Sequence, residues 1–82
     1  MHVIAIDLDG TALLHPGQVK KYFENKNNFI VIYTARSESM RDTTIQELRE
    51  KRIPYHALVM EKLRADVYID DKNAGGLVWP EF

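Results

Sequence analysis

The chain has 82 residues, 45% of them hydrophobic, with 11 Lys+Arg against 12 Asp+Glu for a formal charge of −1. That length suits one small domain spanning residues 1–82, the apolar content is that of a folded core, and the charge balance gives no global basic field for non-specific nucleic-acid binding. The absence of cysteine excludes disulfides, thiolate catalysis and Cys-ligated metal sites.

Taken in chain order, residues His2 to Leu8 are apolar and β-branched until Asp-Gly-Thr breaks the run, which predicts a buried strand followed by a loop. The run Val3–Ile6 stops at Asp7, unlike a secretory leader, and Phe29–Tyr33 is far too short to span a bilayer. A soluble cytoplasmic protein is expected. Pro16 suits the first position of a helix whose apolar stripe is Val19, Tyr22 and Phe23, ending in the Asn25–Asn28 turn. Phe29–Tyr33 is apolar on both faces, as in a central strand covered on each side. From Ser39, a candidate N-cap, to Arg52 the pattern is helical, with a thin stripe of Met40, Thr44, Ile45 and Leu48 and a basic last turn before Pro54. Short strands are expected within Tyr55–Met60 and over Val67–Ile69, with a helical turn over Glu61–Ala65 and a further edge strand or flap over Leu77–Phe82.

Alternating strands and helices imply parallel βαβ units with right-handed crossovers, whose ligands bind beyond the carboxyl ends of the strands. Asp7 and Asp9 follow the first strand, Thr34 the second, and Asp70 and Asp71 the last short one. Clustered carboxylates repel strongly and either retain protons or bind a cation. An all-oxygen set without Cys or His suits a hard ion, most naturally Mg²⁺, which shares its shell with phosphate. Phosphoryl transfer also needs an in-line nucleophile, an acid/base and donors for the equatorial oxygens. A carboxylate can attack to form an aspartyl-phosphate. Thr34 offers a hydroxyl and Lys62 a charge. Taken singly, each residue has an ordinary structural explanation: a turn acid at Asp7 or Asp9, a buried β-residue at Thr34, a surface lysine at Lys62. Their common placement at one sheet edge is what points to a site.

Asp7-Leu8-Asp9-Gly10-Thr11 after a hydrophobic strand resembles the first motif of the haloacid dehalogenase (HAD) superfamily. Ile30–Thr34 resembles its second motif, Lys62 its third and Val67–Asp71 its fourth. The resemblance covers nearly the whole chain and implies a three-layer α/β Rossmann-like core: a short parallel sheet in the order 3-2-1-4, a fifth edge strand, and helices on both faces. It further implies Asp7 as nucleophile and Mg²⁺ ligand, and Asp9 as general acid/base touching the metal through its backbone carbonyl. Thr34 and Lys62 would hold phosphoryl oxygens, and Asp70 and Asp71 would complete the metal shell. Gly10, Thr11, Ala35 and Arg36 would contact substrate. An acid at position 9 favours phosphatase over dehalogenase chemistry.

Thr34-Ala-Arg36-Ser-Glu38 and Asp70–Gly76 are similar to small HAD phosphatases of capsular polysaccharide or sugar-phosphate metabolism, and less closely to polynucleotide 3′-phosphatases. The chain departs from the family in having no room for a β-hairpin flap after Thr11 and no insertion that could form a cap. An open site is therefore expected, taking a small phosphorylated substrate (a sugar phosphate first) or the phosphate at a polymer end, or borrowing a wall from another copy in a homo-oligomer. The competing readings are a HAD-like module that binds phosphate or a partner without turnover, and a phospho-acceptor domain. Receiver domains place their acidic pair before the phospho-acceptor, whereas here Asp70-Asp71 comes last. His2 and His56 read as structural and His15 as a rim residue.

Overall fold

The computed structural model describes residues 1–61 and the two-residue strand at 68–69. Strand β1 spans His2–Asp7, helix α1 Pro16–Glu24, strand β2 Asn28–Tyr33, helix α2 Arg41–Glu50, strand β3 Ala57–Val59 and strand β4 Tyr68–Ile69. All pair in parallel in the order β3-β2-β1-β4, the order that the family resemblance implies. The chain is thus a small α/β domain on a parallel sheet, compatible with a Rossmann-like fold. The expected fifth strand over Leu77–Phe82 and the turn at 62–65 lie outside the described residues.

Register and strand pleat sort the side chains between two faces. Ile4 and Ile6 of β1 pair with Ile30 and Ile32 of β2, and all four are fully buried. Val19 and Tyr22 of α1, Leu48 of α2 and Ile53 close over this row as one cluster. Both described helices therefore cover the same face; the expectation of helices on both faces extends to residues outside the described ones. The reason is topological. Strands β1, β2 and β3 follow one another in one direction across the sheet, so successive right-handed crossovers fall on one side. On the other face Ala5, Val31 and Tyr33 are nonetheless buried.

The helix ends follow local chemistry. Pro16 opens α1, as expected from its fixed φ and missing N–H. The segment from Ser39 divides instead: Glu38–Met40 forms one tight turn and α2 begins at Arg41 without a side-chain cap. Met40, assigned to the stripe by its spacing, is 42% exposed because it belongs to that turn. At the other end Ile53 N–H donates to the Leu48 carbonyl (3.0 Å) and Arg52 N–H to that of Arg49 (3.1 Å), the paired bonds of a Schellman stop. The left-handed position, usually glycine, is held by Arg52 at φ 56°. Ile53 and Leu48 both join the core cluster, so the apolar contact that accompanies such a stop offsets the backbone cost.

Candidate functional site

Parallel in-register pairing of Asp7 with Tyr33 brings the ends of β1 and β2 to the same sheet edge. Asp7, half-buried, and Thr34, the residue after Tyr33, therefore leave the sheet side by side. Past Asp7 the chain makes one wide turn over Leu8–Ala12, closed by Leu13 N–H on the Leu8 carbonyl (3.1 Å) and broken by extended Asp9 (φ −76°, ψ 131°) and left-handed Gly10 (φ 75°, ψ −2°). Leu8 and Ala12 are fully buried. They anchor the turn in the core, so the acid between Leu8 and Gly10 is thrown outward, with 57% of the Asp9 side chain exposed. A Cβ at position 10 would meet its own backbone at this φ, which explains the glycine. Thr11, expected at the substrate, is fully buried, and its hydroxyl has no hydrogen-bond partner among the described residues. Ala35 is exposed.

Thr34 is buried, and its side-chain oxygen accepts the Arg36 backbone N–H (3.1 Å). The hydroxyl proton is left to donate, which is what a phosphoryl oxygen requires. The Thr34 N–H donates to the Val59 carbonyl (3.0 Å), tying this end of β2 to β3. The following loop is fastened in the same direction. Glu61 N–H donates to the Arg36 carbonyl (3.0 Å), Glu38 N–H to Glu61 Oε2 (3.0 Å), and Arg41 Nη1 to the Leu58 carbonyl (3.1 Å). Glu61 sits at φ 60°, a left-handed conformation that costs a non-glycine residue energy and persists where surrounding bonds fix it.

Among the described residues, Arg36 ties this edge to both Asp9 and α2. Its Nε and Nη2 donate to the two carboxylate oxygens of Asp9 (3.1 and 2.6 Å), while Nη1 donates to Glu47 Oε1 (2.7 Å) and to the Thr44 hydroxyl (3.1 Å). The guanidinium pKa rises above its ordinary value because of the bonds to Asp9 first and Glu47 second, against a smaller opposing effect of burial. The family resemblance implies that Arg36 contacts substrate. In the structure the fork faces the chain's own carboxylates. Thr44 and Glu47 are the members of this site that sequence reasoning missed. Thr44 is fully buried and was assigned by spacing to the apolar stripe. Glu47, three positions on, has no spacing that sets it apart from the other charges of α2.

Lys62, Asp70 and Asp71 lie outside the described residues. Among the described residues no group of three or more His, Asp or Glu side chains is placed to hold a metal. The donors they do supply at this edge, the Asp7 carboxylate and the Asp9 backbone carbonyl, are hard oxygens of the kind that suit Mg²⁺. The Asp9 side chain is engaged by Arg36. No helix among the described residues is long and apolar enough to cross a membrane.

At the opposite sheet edge His56 N–H donates to the Ile30 carbonyl (2.9 Å), and its Nδ1 accepts the Ile30 N–H (2.9 Å). The imidazole stacks on Phe23 and Phe29, with ring centroids 4.6 and 5.0 Å away. These contacts give His56 the structural role read for it in the sequence. Compared with known proteins, the chain matched no protein family, no curated protein and no solved structure.

Proposed function

We propose that this chain is a HAD-type phosphatase without a cap, hydrolysing phosphomonoesters through an aspartyl-phosphate on Asp7 in the cytoplasm. The observation that carries the reading is the pairing of β1 with β2, which sets a carboxylate, a buried hydroxyl and an outward-turned second acid at one strand edge. In the first step an Asp7 oxygen attacks phosphorus, the bond to the leaving oxygen breaks, and Asp9 supplies that oxygen with a proton. In the second, Asp9 takes a proton from water, the water oxygen attacks phosphorus, and the bond to Asp7 breaks to release inorganic phosphate. The Thr34 hydroxyl donates to a phosphoryl oxygen in both steps, and Lys62 has the same role in the family resemblance. Asp7, the Asp9 carbonyl, Asp70 and Asp71 would hold Mg²⁺, which supplies charge neutralisation on the phosphoryl group.

With no cap in the sequence, a sugar phosphate is the first substrate class to test and a polynucleotide 3′-phosphate the second. A second copy of the chain could supply the missing wall. The test is phosphate release from an aryl phosphate with and without Mg²⁺, for the wild-type chain and Asp7→Asn. Magnesium-dependent turnover lost by at least about 1,000-fold on Asp7→Asn is the expected result, given what removal of a covalent nucleophile does. Stabilisation by Mg²⁺ with no turnover on either substrate class would favour a phosphate-binding module instead. Turnover equal in Asp7→Asn would refute the mechanism.

A further inference from the structure

Resting on the phosphatase reading, we infer that Arg36 is the positioning residue for the acid/base Asp9, and that Glu47 and Thr44 of α2 hold Arg36 for that task. Asp9 has no rigid support of its own. It follows a strand end, precedes a left-handed glycine, and is largely exposed. A side chain on such a turn samples several rotamers, and proton transfer to a leaving group demands one of them. The two-point contact of Arg36 Nε and Nη2 with both oxygens of ionised Asp9 removes that freedom for the second step, where Asp9 takes a proton from water; when Asp9 carries the proton that it gives up in the first step, the oxygen bearing it turns to the leaving group and the other keeps its bond to the fork.

The fork needs a fixed base, and α2 provides it. Glu47 Oε1 and the fully buried Thr44 hydroxyl both take Nη1, on a helix whose Leu48 is locked into the core. The Arg36 main chain is pinned as well: its N–H to Thr34 Oγ1 and its carbonyl to Glu61 N–H. All three guanidinium nitrogens are engaged within the chain, so Arg36 does not present its fork to a substrate phosphate. Orientation of the acid/base thus runs from the core through Leu48, Thr44 and Glu47 to Arg36 and then to Asp9.

The experiment separates this role from substrate binding by the kinetic constant that changes. Wild type, Asp7→Asn, Arg36→Met, Arg36→Lys and Glu47→Gln are compared on an activated aryl phosphate and on an alkyl phosphate, with Mg²⁺. Positioning predicts that Arg36→Met lowers kcat about 10- to 100-fold with KM nearly unchanged, a fraction of what a general acid supplies. The loss is larger on the alkyl phosphate, whose leaving group needs the proton. Arg36→Lys keeps the charge but not the fork and fails to restore kcat. Glu47→Gln lowers kcat several-fold in the same pattern, and it stands as the test if Arg36→Met does not fold.

A raised KM with unchanged kcat in Arg36→Met, full rescue by lysine, or equal losses on both leaving groups would each overturn the inference while leaving Asp7-dependent turnover intact. If the wild-type chain turns over neither ester, the phosphatase reading fails and this role for Arg36 fails with it.

Discussion

Where β2 begins, an imidazole stacks on two phenyl rings; where β2 ends, a guanidinium is gripped by two carboxylates. The first assembly is bonded into the sheet itself, because His56 uses both its backbone N–H and its Nδ1 on a single residue, Ile30. The second is made of side chains that leave the sheet, and its partners range from buried Thr44 to largely exposed Asp9. Backbone-anchored aromatic packing has no stronger competitor in solution. Ion pairs at an open edge do, since dissolved ions screen the same charges. One edge is therefore suited to holding the domain together, and the other to orienting side chains beyond the sheet, with a strength that falls as salt rises.

Substitutions at the two edges break or sharpen that contrast. Removing the hydroxyl of Thr34 in Thr34→Val is expected to cut turnover about 100-fold, or about 2.7 kcal/mol of barrier, as for the loss of one oxyanion donor. It should cost only about 1 kcal/mol of stability for the lost bond to Arg36 N–H. Steady-state kinetics and urea denaturation on the same protein give both numbers, and a stability loss exceeding the barrier change would erase the distinction.

His56→Ala is expected to do the reverse, costing about 1–2 kcal/mol of stability through the unpaired Ile30 N–H and the lost stacking, with kcat intact. A fall in kcat at unchanged stability would show that the two edges are coupled.

Between the edges, Arg52→Gly relieves a left-handed non-glycine residue at the end of α2 and should stabilise by about 1 kcal/mol, read as a rise in the denaturation midpoint.

The smallest effect is expected from Glu38→Gln. Arg41 holds the exposed Glu38 carboxyl below the usual carboxylate range through their hydrogen bonds. That contribution is present above the ordinary glutamate pKa and is lost as pH falls through the lowered folded value. The variant should therefore show a slightly flatter acid side in a stability-against-pH curve, and high salt should remove the difference.

The sheet was legible because burial on both faces writes itself into composition. Ile4, Ile6, Ile30 and Ile32 face one layer and Ala5, Val31 and Tyr33 the other, which leaves unbroken apolar runs that stop where Asp7 and Thr34 begin. Parallel pairing then makes adjacent strand ends into neighbours, so two members of the candidate site could be placed without coordinates. Arg36 was singled out, but its direction was not legible. A guanidinium reaches several ångströms either way, and the side it takes depends on Thr44 and Glu47, eight and eleven positions along and on another element. Met40 failed for a related reason: helical spacing cannot see that one tight turn before α2 rotates a residue out of the stripe. The sidedness of the helices was derivable from strand order and crossover handedness together, and neither alone gives it.

The register of the sheet also bears on how the chain reaches this structure. Strand β1 meets β2 at a separation of 26 residues, His2 with Asn28, and β2 meets β3 at the same separation, Val31 with Ala57. Strand β1 meets β4 only across 63 residues, Ala5 with Tyr68. Closing the longer loop costs about 0.8 kcal/mol more chain entropy and, among the described residues, is repaid by two paired residues instead of six. The β1–α1–β2 unit is therefore the expected folding nucleus, with α2 and β3 condensing on it and β4 joining last. Truncations of Ile30 should slow folding, whereas weakening the β1–β4 pairing should speed unfolding. On this order the first two strand ends, which carry Asp7 and Thr34, become neighbours at the earliest stage of folding.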